Sequence, residues 1–407
     1  DLNPKIVLVE KNSENPVVDV AKKLKIELCE INPEKDGPSG IFNIYEKESE
    51  YSLPDESDEA LVLHTSGTTS RPKIVPLTNK NIFSSAENIS KSLNLSENDH
   101  CLNIMPLFHI HGLIAILASS MKAGASVCAS NGFNAIKFLD IAKSEKITWY
   151  SGVPTMHQAI LLRARRNLEI AKLLKLRLIR SSSASLPPVV FKDLNDVFSC
   201  PVIEAYGMTE ATHQMTSNPL PPKQQKAGFV GLPAGPEVCI MNENGEVLKQ
   251  GDEGEVCIKG ENVTLGYDNN EEANKTSFTN GWFRTGDQGY FDNEGYLKIS
   301  GRLKEIINKG GEKISPLEVD NVLMDHPLID QAVCFGYEDK MLGENIASAI
   351  IIKSGETCSE NDVLEYAQEK LAKFKIPKKI FFVEEIPKGA TGKLQRNVLA
   401  KKFGLNN

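Results

Sequence analysis

Short apolar runs alternate with amphipathic stretches through the first half of the chain. "IVLVE" precedes "NPVVDVAKKLKI", "CLNIMP" precedes "GLIAILASSMKAG", and "SVCAS" precedes "NAIKFLDIAKSEK". "ITWYSG" leads into "PTMHQAILLRARR", "LRLIRSSSA" into "LPPVVFKDLNDVF", and "PVIEAYG" closes the series. Apolar runs this short, spaced by segments of helical length, predict βα units in an α/β protein with a doubly wound, mostly parallel sheet. Ligands of such sheets bind at the carboxyl ends of the strands. Past about residue 225 the pattern changes to "VCIMNENGEVL", "GEVCIKG" and "GYLKIS", joined by Gly/Asn/Asp turns, which predicts a β-rich antiparallel subdomain. "GRLKEIINKGGEKISP", residues 301–316, is rich in glycine and charge and reads as an interdomain hinge. The remainder alternates again, with Ser359 and Asp362 at capping spacing ahead of a helix, as in a small α+β domain. The expected division is a body over 1–302 and a C-terminal domain over 303–407.

Composition narrows the setting. A chain of 407 residues with a 41% hydrophobic share can bury two or three cores. No apolar run approaches the span of a bilayer, and "DLNPKIVLVE" lacks the basic flank and apolar core of a signal peptide, so no membrane role is expected. A formal charge of -8 argues against generic nucleic-acid binding. Lys373, Lys375, Lys378, Lys379, Lys388, Lys393 and Arg396 nevertheless gather near the C-terminus, where they could face an anionic ligand. The eight cysteines are scattered with no C-x-x-C pair, and "FGLNN" is not a peroxisomal S-K-L ending, so a cytoplasmic protein with reduced thiols is expected. The first residue is Asp1 rather than Met, which reads as a fragment or a processed form.

"LHTSGTTSRPKIVPLT", residues 63–78, carries the densest chemistry. Thr65, Ser66, Thr68, Thr69 and Ser70 surround Gly67 and lead to Pro72 and Lys73, after a strand-like "EALVL". This is not a Walker A motif: Pro72 replaces the second glycine, Ile74 follows the lysine, and Pro72 blocks the helix such a lysine needs. Backbone N–H groups opened by the glycine, with five rotatable hydroxyls, can instead wrap the phosphates of a nucleotide.

Six further motifs follow in order: "PLFHIHG" (106–112), "RSSSASL" (180–186), "YGMTEAT" (206–212), "WFRTGD" (282–287), "GRLKEIINKGG" (301–311) and "PKGATGKLQR" (387–396). Together with the hydroxyl-rich loop they resemble the acyl-activating, adenylate-forming superfamily of acyl-CoA synthetases, 4-coumarate CoA ligase, luciferases and peptide-synthetase adenylation domains. The resemblance spans the chain, although the family normally carries a longer segment ahead of this starting point, and Ile74 stands where glycine is usual. It implies that ATP and a carboxylate give an acyl-AMP and pyrophosphate, and that the thiol of CoA then displaces AMP. Thr65, Ser66, Gly67, Thr68, Thr69 and Lys73 would hold phosphates. Thr209 would contact the α-phosphate and Glu210 would ligate Mg²⁺. Tyr206 would face adenine with the backbone at Ala184 and Ser185 flanking the base, Glu204 and Ala205 would also bind ATP, and Asp287 and Arg302 would take the ribose. Lys393 would bridge the carboxylate and α-phosphate as charge builds between them. The C-terminal domain would be a mobile lid rotating about Lys304, with Gly310 and Gly311 leaving room for the pantetheine arm.

Substrate choice turns on histidines. Three of the seven, His109, His111 and His213, fall in motifs that line the acyl pocket in this family, and "SSSAS" adds hydroxyls. A small polar pocket suits a second carboxylate. The same motifs closely resemble the oxalate CoA ligases of plants and fungi, which implies oxalate as substrate with His213, His111 and Ser183 at its far carboxylate and His109 as gate or wall. A ligase for another short or aromatic acid and a non-catalytic nucleotide-binding relative are the alternatives. No carrier protein is expected as a partner.

Overall fold

The computed structural model describes residues 2, 4–34, 41–44, 52–65 and 72–405, and the chain divides into two compact units, Asp1–Pro54 and Asp55–Asn407. In the first, strands Ile6–Glu10 and Glu27–Pro33 pair in parallel around helix Val17–Leu24, and Phe42–Ile44 adds an antiparallel edge. The first βα unit of the sequence pattern therefore belongs to a three-stranded sheet of its own rather than to the main sheet.

The second unit is built on a seven-stranded sheet. Its strands include β1 (His100–Asn103), β2 (Ser126–Ala129), β3 (Trp149–Gly152), β4 (Leu178–Ser181), β5 (Val202–Met208) and β6 (His213–Ser217). The spatial order is Leu232–Pro233, β6, β5, β4, β3, β1, β2. The strands from β5 to β2 are parallel, joined by crossovers that include α1 (Ala135–Ser144), α2 (Pro154–Arg166) and α3 (Pro188–Phe198), as the alternation predicts. β6 turns back antiparallel on β5. Trp149, Tyr150, Ile160, Leu178, Ile179, Leu194 and Ile203 pack into the core beneath these helices. Burying each such aliphatic side chain contributes roughly 1.5–3 kcal/mol.

One row of this sheet is polar. Asn103, Ser151 and Arg180 stand at paired positions of β1, β3 and β4, so their side chains leave the same face. The segment expected as an α-helix after "PLFHIHG" is instead a π-helix, His111–Ala118, continued by α-helix Ser119–Lys122. Its start is drawn tight against the preceding loop, since a Cβ on Gly112 would lie 2.4 Å from the Pro106 carbonyl oxygen.

Beyond the main sheet, Glu237–Met241, Gly254–Lys259, Trp282–Phe291 and Leu297–Arg302 form the antiparallel subdomain. Residues 301–316, expected as a hinge, carry regular structure. After one 3₁₀ turn, Leu303–Glu305, strands Ile307–Lys309 and Glu312–Ile314 make a hairpin whose turn is Gly310 (φ 62) and Gly311 (φ 96). Two consecutive positive φ angles suit a tight two-residue hairpin and favour glycine at both places. The hairpin joins a sheet with Ile329–Asp339, Gly343–Ile352 and Lys379–Phe382, and residues 307 onward have hydrophobic clusters separate from that of the main sheet. Helix Glu360–Lys370 carries the expected capping box, with Ser359 and Asp362 reciprocally bonded.

Candidate active site

Strand Glu59–His64 enters the hydroxyl-rich loop and strand Ile74–Thr78 leaves it, paired antiparallel. The loop's base is closed by Thr65 N–H donating to the Lys73 carbonyl (2.9 Å) and Lys73 N–H donating to Thr65 Oγ1 (3.1 Å). Ser66, Gly67, Thr68, Thr69 and Ser70 lie outside the described residues. The Lys73 ammonium sits 4.0 Å from the centre of the Tyr267 ring, and burial lowers its pKa while Glu210 opposes that shift.

The "YGMTEAT" segment turns the chain from β5 into β6. Thr209–Ala211 is a 3₁₀ turn, and Thr212 (φ 48) and His213 (φ 95) follow in the left-handed region. Non-glycine residues hold this conformation only when their surroundings enforce it. Here Ser85 Oγ donates to the Thr212 carbonyl, Thr212 Oγ1 donates to the Asn262 carbonyl, and Asn262 Nδ2 donates to the carbonyls of Ala211 and Gln214. The reversal leaves Thr209 at the half-buried edge and Glu210 buried, its Oε1 accepting from Tyr267 Oη at 2.8 Å. Tyr267 escaped the motif reading. It lies in "LGYDN", between turn residues, with no periodic signal to mark it.

Asp287 and Arg302, the residues expected to take the ribose, come from the antiparallel subdomain. Asp287, 5% exposed, accepts from Tyr206 Oη at Oδ2 (2.5 Å) and from Arg302 Nε at Oδ1 (2.8 Å). Its carboxylate retains further lone pairs for ribose hydroxyls. The Asp287 carboxylate beside Arg302 holds that guanidinium's pKa above its ordinary value. Gly286 N–H and Arg284 Nε both donate to Glu255, which fixes the turn ahead of Asp287.

Of the residues expected to flank adenine, Ala184 is exposed and Ser185 half-buried. The Glu204 side chain, by contrast, is turned into the fold. Its Oε1 accepts from Leu186 N–H at 3.1 Å, and burial pushes its carboxyl up to about 8, so it is protonated at neutral pH. The Glu204 carbonyl accepts from Asn218 N–H and the Ala205 carbonyl from Ser182 Oγ. Glu204 thus clamps the "RSSSASL" loop rather than presenting a charge to a ligand.

The three histidines form a cluster. His111 and His213 have ring centroids 5.0 Å apart, and His109 lies 6.5 Å from His111. His111 is wholly buried with both nitrogens engaged, Nδ1 with Ser183 Oγ (3.0 Å) and Nε2 with Ser151 Oγ (2.6 Å). It therefore positions Ser183, whose backbone is left-handed (φ 73), and has no free nitrogen for a ligand in this arrangement. Both ring nitrogens of His213 lack partners. Burial lowers the pKa of His109 to about 4 and those of His111 and His213 well below the ordinary value, so the three are neutral at pH 7.

Lys393 reaches this cluster from the C-terminal domain. Burial and Arg302 lower its pKa to about 8, against the pull of Asp287 and Glu210, and its charge is felt by all three histidines. Its loop is fastened to a crossover helix of the main sheet: Thr155 Oγ1, in the first turn of α2, donates to the Gly392 carbonyl at 2.8 Å. Because the ammonium form disappears as pH rises through about 8, acyl-AMP formation by the free enzyme, read as kcat/KM, should fall above that pH. A profile flat to about pH 9.5 would contradict it.

Two of the other basic residues near the C-terminus are held in ion pairs within the fold. Lys375 pairs with Glu318 at 2.7 Å, and Arg396 bonds Glu305 and Asp320. Lys304 is exposed, as are the hairpin-turn residues Gly310 and Gly311. No group of three or more His, Cys, Asp or Glu among the described residues could hold a metal unaided. Mg²⁺ commonly uses one or two carboxylates with substrate phosphates and water, and Glu210, oriented by Tyr267, fits that requirement.

Residues 1–268 match the family model described as AMP-binding enzyme, and residues 318–393 match the AMP-binding enzyme C-terminal domain. The chain belongs to the AMP-binding enzyme family. This AMP-binding enzyme is 47% identical to an oxalate–CoA ligase of Arabidopsis thaliana, over 99% of this chain and 80% of that one. It is 49% identical to an oxalate–CoA ligase of Saccharomyces cerevisiae, over 85% of this chain and 64% of that one. Among solved structures, ATP-bound MatB from Rhodopseudomonas palustris superposes with a TM-score of 0.87 at 30% identity, over 98% of this chain and 79% of that one. MatB without nucleotide superposes less well, at 0.75. No helix among the described residues is long and apolar enough to cross a membrane.

Proposed function

We propose that this chain condenses oxalate with ATP to oxalyl-AMP and pyrophosphate, then transfers the oxalyl group to CoA with release of AMP. The observation that carries this reading is the grouping of Ser183, neutral His111 and His213, and the Lys393 ammonium, whose charge acts on both rings. Its similarity to two oxalate–CoA ligases agrees with it.

The first step joins two anions, so the site must neutralise charge and align atoms rather than supply a nucleophile. In this reading Asp287 and Arg302 hold the ribose and Tyr206 lies against adenine. The hydroxyl-rich loop and Lys73 hold the β- and γ-phosphates, Thr209 the α-phosphate, and Glu210 a Mg²⁺ that shields the triphosphate. One carboxylate oxygen attacks the α-phosphorus and the bond to pyrophosphate breaks. In the same reading the Lys393 ammonium bridges the two reacting groups. For the second step, the CoA thiolate attacks the acyl carbon and AMP leaves with the electron pair. That step needs Lys393 withdrawn, through release of the Thr155–Gly392 bond and rotation of a lid, residues 303–407, about Lys304. The tight turn at Gly310 and Gly311 would then border the pantetheine arm. Eight cysteine thiols, none in a disulfide, support a reducing compartment such as the cytosol.

Product analysis tests the scheme. Purified protein with oxalate, ATP, Mg²⁺ and CoA should yield oxalyl-CoA, AMP and pyrophosphate in equal amounts, whereas ADP and phosphate as products would contradict it.

A further inference from the structure

A guanidinium is buried beneath the histidine cluster. Arg180 is 0% exposed and leaves the same sheet face as Ser151, the residue on which His111 Nε2 rests. Its Nη2 donates to Gln214 Oε1 at 3.1 Å, while Nε and Nη1 have no partner. No carboxylate pairs with it among the described residues, and desolvation alone shifts its pKa, down to about 9. It therefore remains a cation at neutral pH. It lies near enough to His111 and His213 to help hold both rings neutral.

An unpaired buried cation is among the costliest features a fold can carry, and imidazole nitrogens buried without partners add to the cost. Arg180 and His213 together hold four buried nitrogens without partners beside the histidine cluster. Binding an anion there would relieve both. The near carboxylate of a diacid has Lys393 at the reacting centre, but the far one finds only neutral imidazoles and Ser183 among the described residues facing it. The charge has to come from behind them.

We propose that Arg180 is the specificity-determining counter-charge for the second carboxylate of the substrate, with His213 and Ser183 supplying hydrogen bonds beside it. This rests on the dicarboxylate reading above and adds to it the source of discrimination. A short dianion satisfies the buried guanidinium, whereas a monocarboxylate of the same size leaves it uncompensated.

The test compares wild type with R180M, R180Q and R180K in ATP–pyrophosphate exchange, using oxalate and glyoxylate at saturating ATP. The ratio of kcat/KM for oxalate to that for glyoxylate should fall roughly 100-fold in R180M and R180Q, mainly through KM for oxalate, and R180K should recover most of it. Thermal unfolding of each variant checks its folding, and R180Q carries the comparison if R180M is unstable. Variants that lower both acids alike, or that keep the wild-type ratio, overturn the role of Arg180 while leaving the oxalate reading in place. A wild type that prefers glyoxylate removes that reading and this inference together.

Discussion

Lys393→Ala should lose acyl-AMP formation by roughly a thousandfold yet still transfer the acyl group from supplied oxalyl-AMP to CoA. The amine brings a positive charge from the C-terminal domain to Glu210, Asp287, Arg302 and the histidines, and removing a single preorganised group of this kind typically costs about 10²–10³ in rate. Transfer to CoA has no triphosphate to neutralise. The two half-reactions, measured separately as pyrophosphate exchange and thioester formation, should therefore part company. Equal losses in both would mean that Lys393 supports the fold of the cleft rather than one step.

Gly207→Ala should be the most damaging conservative change near the site. A Cβ at this position would lie 1.9 Å from the His213 carbonyl oxygen and 2.7 Å from its carbonyl carbon, both backbone atoms of the facing strand. Since β5 and β6 pair at Gly207 and Gln214, the strands must separate to admit one methyl group. That should destabilise the protein by about 3 kcal/mol and displace Thr209, Glu210 and His213 together. Denaturant unfolding and pyrophosphate exchange on one preparation measure both consequences. A variant of normal stability and normal exchange would show that the reversal tolerates adjustment.

Much of this was legible in the chain, and particular residues show where legibility ended. The βα alternation identified β1 to β5 because each strand is a short apolar run bounded by a helix of opposite period. It could not say that Ile6–Glu10 pairs within a separate sheet, because strand partners are a non-local choice. The return strand Ile74–Thr78 was hidden by Pro76, a residue that counts against a strand unless it lies at an edge, as it does in this two-stranded hairpin. The π-helix His111–Ala118 is almost wholly apolar after His111, so the sequence pattern predicts a helix there but not its π form.

In the site, motifs located the residues but not their partners. His111 reads as a ligand group until Ser151, forty positions away, is seen to occupy its second nitrogen. Glu204 reads as an ATP-binding residue until its burial is known. Arg180 stood in plain view at the head of "RSSSASL", masked by the hydroxyls that follow it. Only three-dimensional context reveals that no acidic group among the described residues answers it.

Substrate selection is the claim on which the remainder turns, and one panel measures it most directly. Pyrophosphate exchange by the wild-type protein, run with oxalate, malonate, acetate and a cinnamic acid, should give kcat/KM for oxalate at least about a hundredfold above acetate and the cinnamic acid. A cinnamic or aliphatic monocarboxylic acid matching oxalate, or ATP binding without exchange for any acid, would contradict the account.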